Sequence, residues 1–228
     1  MTKEEKDRVI YALEYVCNER RDSISRPFIR GDYIYATTGS VIARRLLMEK
    51  DKPLLSEYEA RESAPSRESV ERLFDKTQMN NALWFGKDSD IWTGLILCRD
   101  RHRETCYDDL RKLEHYTCPC CDNTVYPDGD TLVDEETAEQ TLVTRYGIEV
   151  VAGGDKMTFA GQTVYDAVDC VSRLGKVMDI GVCGRNLLII GMGFDCLICP
   201  IQDPLFPSEK RHLEIVGNYT TKEPSYRN

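Results

Sequence analysis

Five of the chain's ten cysteines fall within one short stretch, at Cys98, Cys106, Cys118, Cys120 and Cys121. Cys118 and Cys121 form a C-x-x-C pair, the spacing that lets two thiolates chelate one tetrahedral zinc ion. A closed structural site needs two more ligands. Cys98 and Cys106 supply them, with His102 or His115 as substitutes and Cys120 spare. Zn2+ is therefore the candidate cofactor, held by Cys98, Cys106, Cys118 and Cys121. The competing reading is a set of reduced thiols in a charged loop, some of them buried, because no second C-x-x-C lies nearby.

The other chemistry-bearing residues have plainer readings. Cys196 and Cys199 repeat the C-x-x-C spacing inside an apolar run of strand character. Residues three apart on a strand point to opposite faces, so this pair belongs to core packing. Gly181, Gly184, Gly191 and Gly193 lack the strand-to-helix context of a phosphate loop and mark strand breaks. His102, His115 and His212 sit in polar surroundings without an ordered Cys/His pair, and the carboxylates are spread along solvated faces. No catalytic signature is present, and the chain is expected not to be an enzyme. Arg44 with Arg45, and Arg99 with Arg101 and Arg103, are the densest basic runs. The second suits a zinc module touching nucleic acid or, more plainly, a charged loop. Tyr33, Tyr35, Trp84 and Trp92 offer faces for base stacking, but their strand spacing favours sheet and core positions.

The elements that must position these residues are clearest at residues 161–201. Val164, Ala167, Val168, Val171 and Leu174 make one apolar helical face, and Gly175 suits a helix end. Three strands follow at 177–183, 187–190 and 194–201, broken at 184–186 and 191–193, an antiparallel meander. The beginning of the chain repeats this format. Val9, Leu13 and Val16 form the stripe of a helix expected over 2–21, with Thr2 and Glu5 spaced as a capping box. Strands are expected at 26–30, 33–37 and 40–47. Residues 33–47 and 187–201 align with Gly39 on Gly193 and apolar positions largely in step, a repeat of pattern at low identity.

Between the ends, residues 48–69 suggest a polar crossover. A short helix begins at Ser66, with Val70, Leu73 and Phe74 inward and Ser66 or Ser69 as cap. A hairpin is expected from 83–85 to 91–98, turning at 87–90, with Trp84 facing Trp92. A helix is expected over 135–146, then strands at 148–151 and 156–159. A last strand at 213–216 precedes a tail expected to be loose.

With 228 residues, the chain can bury a core without disulfide staples. Hydrophobic content of 41% and charged content of 30% describe an ordinary globular protein. No apolar run suits a signal peptide or a membrane span, so a cytoplasmic protein with mostly reduced thiols and no membrane partner is expected. A net charge of −9 argues against a surface that coats nucleic acid non-specifically, but it permits a local basic strip.

Arg26-Pro27, residues 33–38 and Gly39 resemble the opening of a domain of the bacterial DNA polymerase sliding clamp, the β-clamp family. Residues 156–201, closing on LICPI, resemble its second half. The match covers about residues 5–48 and 148–202. It implies an α+β fold, a β-clamp-like domain of two pseudo-symmetric helix-plus-antiparallel-meander units with a Cys-containing central insertion. The implied boundaries are 1–49 for the first half, 50–147 for the insertion, 148–202 for the second half and 203–228 for the tail. In that family the helices face DNA, which points to Lys3, Lys6, Arg8, Arg20, Arg21, Arg173 and Lys176 as candidate contacts to double-stranded DNA. These cations are interleaved with Glu4, Glu5, Asp7, Glu14, Glu19, Asp166 and Asp169. Family members carry three such domains per chain and dimerise into a ring, whereas this chain has room for one. A ring here would need self-association through sheet edges. The resemblance implies a non-catalytic clamp-like binding or scaffolding role in DNA replication or repair, with a phage or mobile-element origin compatible. A protein–protein adaptor that keeps the fold without DNA is the alternative, and a zinc-dependent nucleic-acid binder acting through the insertion is a third.

Overall fold

A computed structural model of the chain describes residues 1–19, 21–74, 79, 81–86, 90–110, 116–117, 124–128, 131–134, 140–142, 147–200, 212–216 and 219–220; for 101–147 and 212–220 it is the backbone alone that is described. Helix α1, Lys3–Glu14, starts as its first residues dictate. The Glu5 amide donates to Thr2 Oγ1 at 3.2 Å and the Thr2 amide donates to Glu5 Oε2 at 2.7 Å. Val9, Ile10, Ala12 and Leu13 are buried. The helix stops well short of residue 21. Past Val16 no apolar side chain continues the stripe, and the Asn18 amide instead donates to the Ile24 carbonyl, closing a loop onto a 3-10 turn at Asp22–Ile24.

Strands β1 (Phe28–Arg30), β2 (Tyr33–Thr37) and β3 (Val41–Leu46) form the first antiparallel meander. The expected crossover begins with a 3-10 helix at Glu49–Tyr58. Helix α2, Arg67–Leu73, is capped by Ser66 and buries Val70 and then Phe74. Leu73, expected inward, is 40% exposed: it lies at the margin of the face that carries Val70 and Phe74, on a helix only seven residues long. Strand β4, Leu83–Phe85, is followed by helix α3, Ile91–Leu110, where the second arm of a hairpin was expected. Ile91, Leu95 and Cys98 stand at i, i+4 and i+7, one helical stripe, and all three are buried, whereas on a strand Cys98 would face away from the other two. Trp84 and Trp92 therefore do not face each other. They pack into different cores, on opposite faces of the main sheet.

Strands β5 (Tyr116–Thr117), β6 (Thr124–Asp128), β7 (Thr131–Asp134) and β8 (Gln140–Leu142) form a separate four-stranded sheet. Within the span expected to be helical, residues 140–142 thus pair with β7, tertiary pairing overriding local helix propensity. Strands β9 (Gly147–Ala152) and β10 (Asp155–Ala160) form a hairpin leading into helix α4, Gly161–Leu174. The α4 stripe Val164, Ala167, Val168, Val171 and Leu174 is buried throughout. Strands β11 (Val177–Cys183), β12 (Asn186–Gly191) and β13 (Phe194–Ile198) form the second meander. Strand β14 (His212–Val216) pairs parallel to β9, and β15 (Tyr219–Thr220) pairs with β4.

The main sheet runs β1-β2-β3-β13-β12-β11-β4-β15, so the two meanders meet at the antiparallel pair β3–β13. α1 and α4 pack against each other and, with α3, share one core on one face. A second core on the opposite face joins Tyr35, Ile42, Leu188, Ile190 and Leu197 to Val70 and Phe74. Burial on both faces explains why residues 187–190 are apolar without alternation. Among the described residues no helix is long and apolar enough to cross a membrane.

Candidate nucleic-acid interface

Four of the candidate DNA contacts, Lys3, Lys6, Arg8 and Arg173, lie on α1 and α4, and the others lie past their ends. Lys3 and Arg8 are exposed on α1, Arg21 is exposed beside the 3-10 turn, and Lys176 is exposed just past α4. Arg20 lies outside the described residues. The remaining two cations are already engaged. Lys6 Nζ is 2.5 Å from Glu57 Oε1, and that partner raises its pKa. Arg173 donates through Nη1 to the Asp169 carbonyl at 3.1 Å and through Nη2 to the Tyr15 hydroxyl at 3.3 Å. Its guanidinium also lies 4.6 Å from the Tyr15 ring centre and 5.5 Å from that of Tyr11.

Asp169 takes a second cation, Arg99 of α3, at 3.4 Å, while Arg99 also pairs with Asp100 at 2.7 Å. Part of the helix layer is thus a mosaic in which cations and carboxylates cancel at contact distance, through Lys6 with Glu57 and through Arg173 and Arg99 with Asp169. Along residues 3–19 three cations stand against five carboxylates. Cations paired in this way have little left for phosphates, so counterion release, the main source of non-specific DNA affinity, would have to come from the unpaired ones. The basic runs noted above are spent elsewhere. Arg44 pairs with Asp195 at 2.7 Å, and Arg45 donates to the Leu174 carbonyl at 3.2 Å, capping α4. The side chains of Arg101 and Arg103 lie outside the described residues.

The sequence gives no prominence to the pair that organises this surface. Tyr11 on α1 and Tyr15 at its C-terminal cap stand one turn apart, their rings 5.4 Å apart at 85° and their hydroxyls 3.0 Å apart. The signal was the i, i+4 spacing of two tyrosines on the polar side of an otherwise charged helix. The four aromatics considered for base stacking do not serve that purpose as surfaces. Tyr35 and Trp84 are buried, and Tyr33 and Trp92 are half-buried against the two cores.

Of the four candidate zinc ligands, Cys98 is placed: it is 1% exposed in the helix-side core. Cys106 lies on α3 with its side chain outside the described residues, as are Cys118 and Cys121 altogether. Among the described residues no group of three or more His, Cys, Asp or Glu is positioned to hold a metal ion. Cys196 and Cys199 do point to opposite faces, one in each core. Burial pushes the Cys17 thiol up to about 12, with Glu14 and Glu19 adding to the effect. It likewise raises Cys170, Cys196 and Cys199, so these four sulfurs are packing groups rather than nucleophiles. A cleft of about 490 Å³ lies between α3, α4 and β11, walled by Phe85, Trp92, Ile96 and Met178 with Lys176 and Asp179 as polar groups.

No family model and no curated protein matches the chain. Two solved structures are similar to it. One is described as a DNA polymerase III beta subunit from Eubacterium rectale ATCC 33656, 10% identical with a TM-score of 0.42, covering 90% of this chain and 65% of that one. The other is the DNA polymerase III beta subunit of Thermotoga maritima, 10% identical with a TM-score of 0.35, covering 88% of this chain and 63% of that one. The chain spans less than two thirds of the length of either.

Proposed function

We propose that this chain is a non-catalytic, clamp-like binding and scaffolding protein of DNA replication or repair, acting in the cytoplasm. The observation that supports the reading is the layout. Two helices lie side by side on one face of a sheet in which two antiparallel meanders meet at β3–β13. On this reading the two helix-plus-meander units are pseudo-symmetric halves, and self-association proceeds through sheet edges. DNA contact falls to Lys3, Arg8, Arg21 and Lys176, the candidate cations without an ion pair to another described residue. The test is binding to labelled duplex DNA over a salt series. The DNA reading requires affinity that falls steeply as salt rises, and removing these four cations should flatten the dependence.

A second reading is favoured by the cancellation of charge on the helix layer. In it the chain is a protein–protein adaptor with the same layout and no DNA. Duplex binding that is absent at low salt, in protein shown to be folded, selects this reading over the first.

A further inference from the structure

The face of α1 turned away from the sheet presents Glu4, Asp7, Tyr11 and Glu14 at i, i+3, i+7 and i+10, every one of them exposed. The three carboxylates form no ion pair with another described residue, and the cations of the helix lie on its flanks. Tyr11 keeps 53% of its surface exposed, an unusual position for a large ring. Yet the ring is held. Tyr15 stands edge-on to it at 5.4 Å, their hydroxyls share a hydrogen bond, and Arg173 spans both rings.

An exposed aromatic side chain that is already fixed loses little rotamer freedom when it makes a contact. A tyrosine beside an arginine is also the chemistry that anchors protein interfaces. The sign of the surrounding charge then selects the occupant. Exposed carboxylates lie one turn to either side of Tyr11 and outnumber Arg173, the cation against its ring, so a phosphate backbone is disfavoured and a further cation is attracted. A Lys or Arg stem laid across the ring would gain a cation–π contact and reach Asp7 or Glu14 with its head. The stripe from Glu4 to Glu14 is about 15 Å long, enough for several residues of a partner chain.

We propose that the outward face of α1, built from Glu4, Asp7, Tyr11 and Glu14, docks a lysine- or arginine-bearing segment of a partner protein. The inference deepens the adaptor reading and rests on it. The probe is a fluorescein-labelled peptide of alternating lysine and glycine, titrated with the full chain at low salt. Tyr11→Ala and, separately, Asp7→Asn/Glu14→Gln should each weaken binding about tenfold, whereas Tyr11→Phe should keep most of it. The control Glu59→Gln/Glu62→Gln removes the same charge elsewhere and should leave affinity unchanged. Equal weakening in the control would mean that only net charge is being read, and would overturn the proposal. Should Tyr11→Ala fail to fold, the carboxylate pair carries the same test. Labelled duplex DNA gives a second arm. Duplex binding lost with the α1-face variants overturns the docking surface. Duplex binding lost only on Lys176→Ala or Arg21→Ala sinks the no-DNA reading and leaves the peptide result to stand.

Discussion

Arg44 stands on β3 directly opposite Asp195 on β13, at the seam between the two meanders. Its guanidinium is stacked 4.4 Å from the Tyr33 ring centre and 4.0 Å from that of Phe74. The two charged side chains keep only 11% and 13% exposure, so water replaces neither partner if the other is lost. Asp195→Ala should therefore destabilise the fold by about 3–5 kcal/mol, as for other broken buried pairs. Arg44→Leu/Asp195→Leu should recover most of that loss in urea unfolding; a double variant no better than the single would show that the charge left behind is not the cause. In sequence Arg44 and Arg45 look like one basic patch. Strand alternation separates them to opposite faces, and that much was legible. The partner that gives Arg44 its role lies 151 residues away, beyond the reach of local pattern. The thiols give a second expectation at this scale. Burial, which penalises the thiolate, pushes the Cys17 thiol of the folded chain from its ordinary 9.0 up to about 12. A raised pKa means stability that is full below about 9 and lost as pH rises from about 9 toward about 12. The urea midpoint should fall across that window and fall less in Cys17→Ala, and an unchanged midpoint would count against burial of the thiols.

Among the elements, those with one dominant period were legible and those whose period is masked were not. α4 carries a single apolar stripe, and its expected start, end and inward face all agree with the structure. α3 opens on the short apolar run 91–98, in which the helical spacing of Ile91, Leu95 and Cys98 is masked by the neighbouring Trp92, Ile96 and Leu97, and packing against α4 shows which face is inward. α2 shows the same limit on a smaller scale. Three apolar residues suggested an inward face, but one short helix against a flat sheet buries two of the three positions, Val70 and Phe74. Val70→Ala should therefore cost about 2 kcal/mol. Leu73→Ala should stay within about 0.5 kcal/mol, since the side chain is largely in water already. Thermal midpoints of the two variants, run side by side, separate the outcomes; a large loss at Leu73 would mean that the exposed face of α2 is covered in solution.

At the scale of the whole molecule, the question is whether one such body works alone. Sheet edges decide what can be added. The outer edge of β1 is partly closed, because Ile29 bridges to Glu59 beside the 3-10 helix. β10, six residues long, pairs with β9 on one side and with no strand on the other among the described residues. An edge of that length is a template for pairing unless something opposes it. The opposing factor here is charge, since every chain carries −9 and like chains repel. Screening shortens the range of that repulsion to about 8 Å at physiological ionic strength while leaving backbone pairing intact. If the edges pair, the mass in solution should rise above 26.1 kDa with protein concentration, and rise further with salt. DNA contact through the helix layer would weaken over the same salt range, so encirclement would show opposite salt dependences for assembly and for binding. Light scattering on the purified chain measures the first. A mass that stays at 26.1 kDa across both series removes a ring built from these edges and leaves a single body that acts by docking.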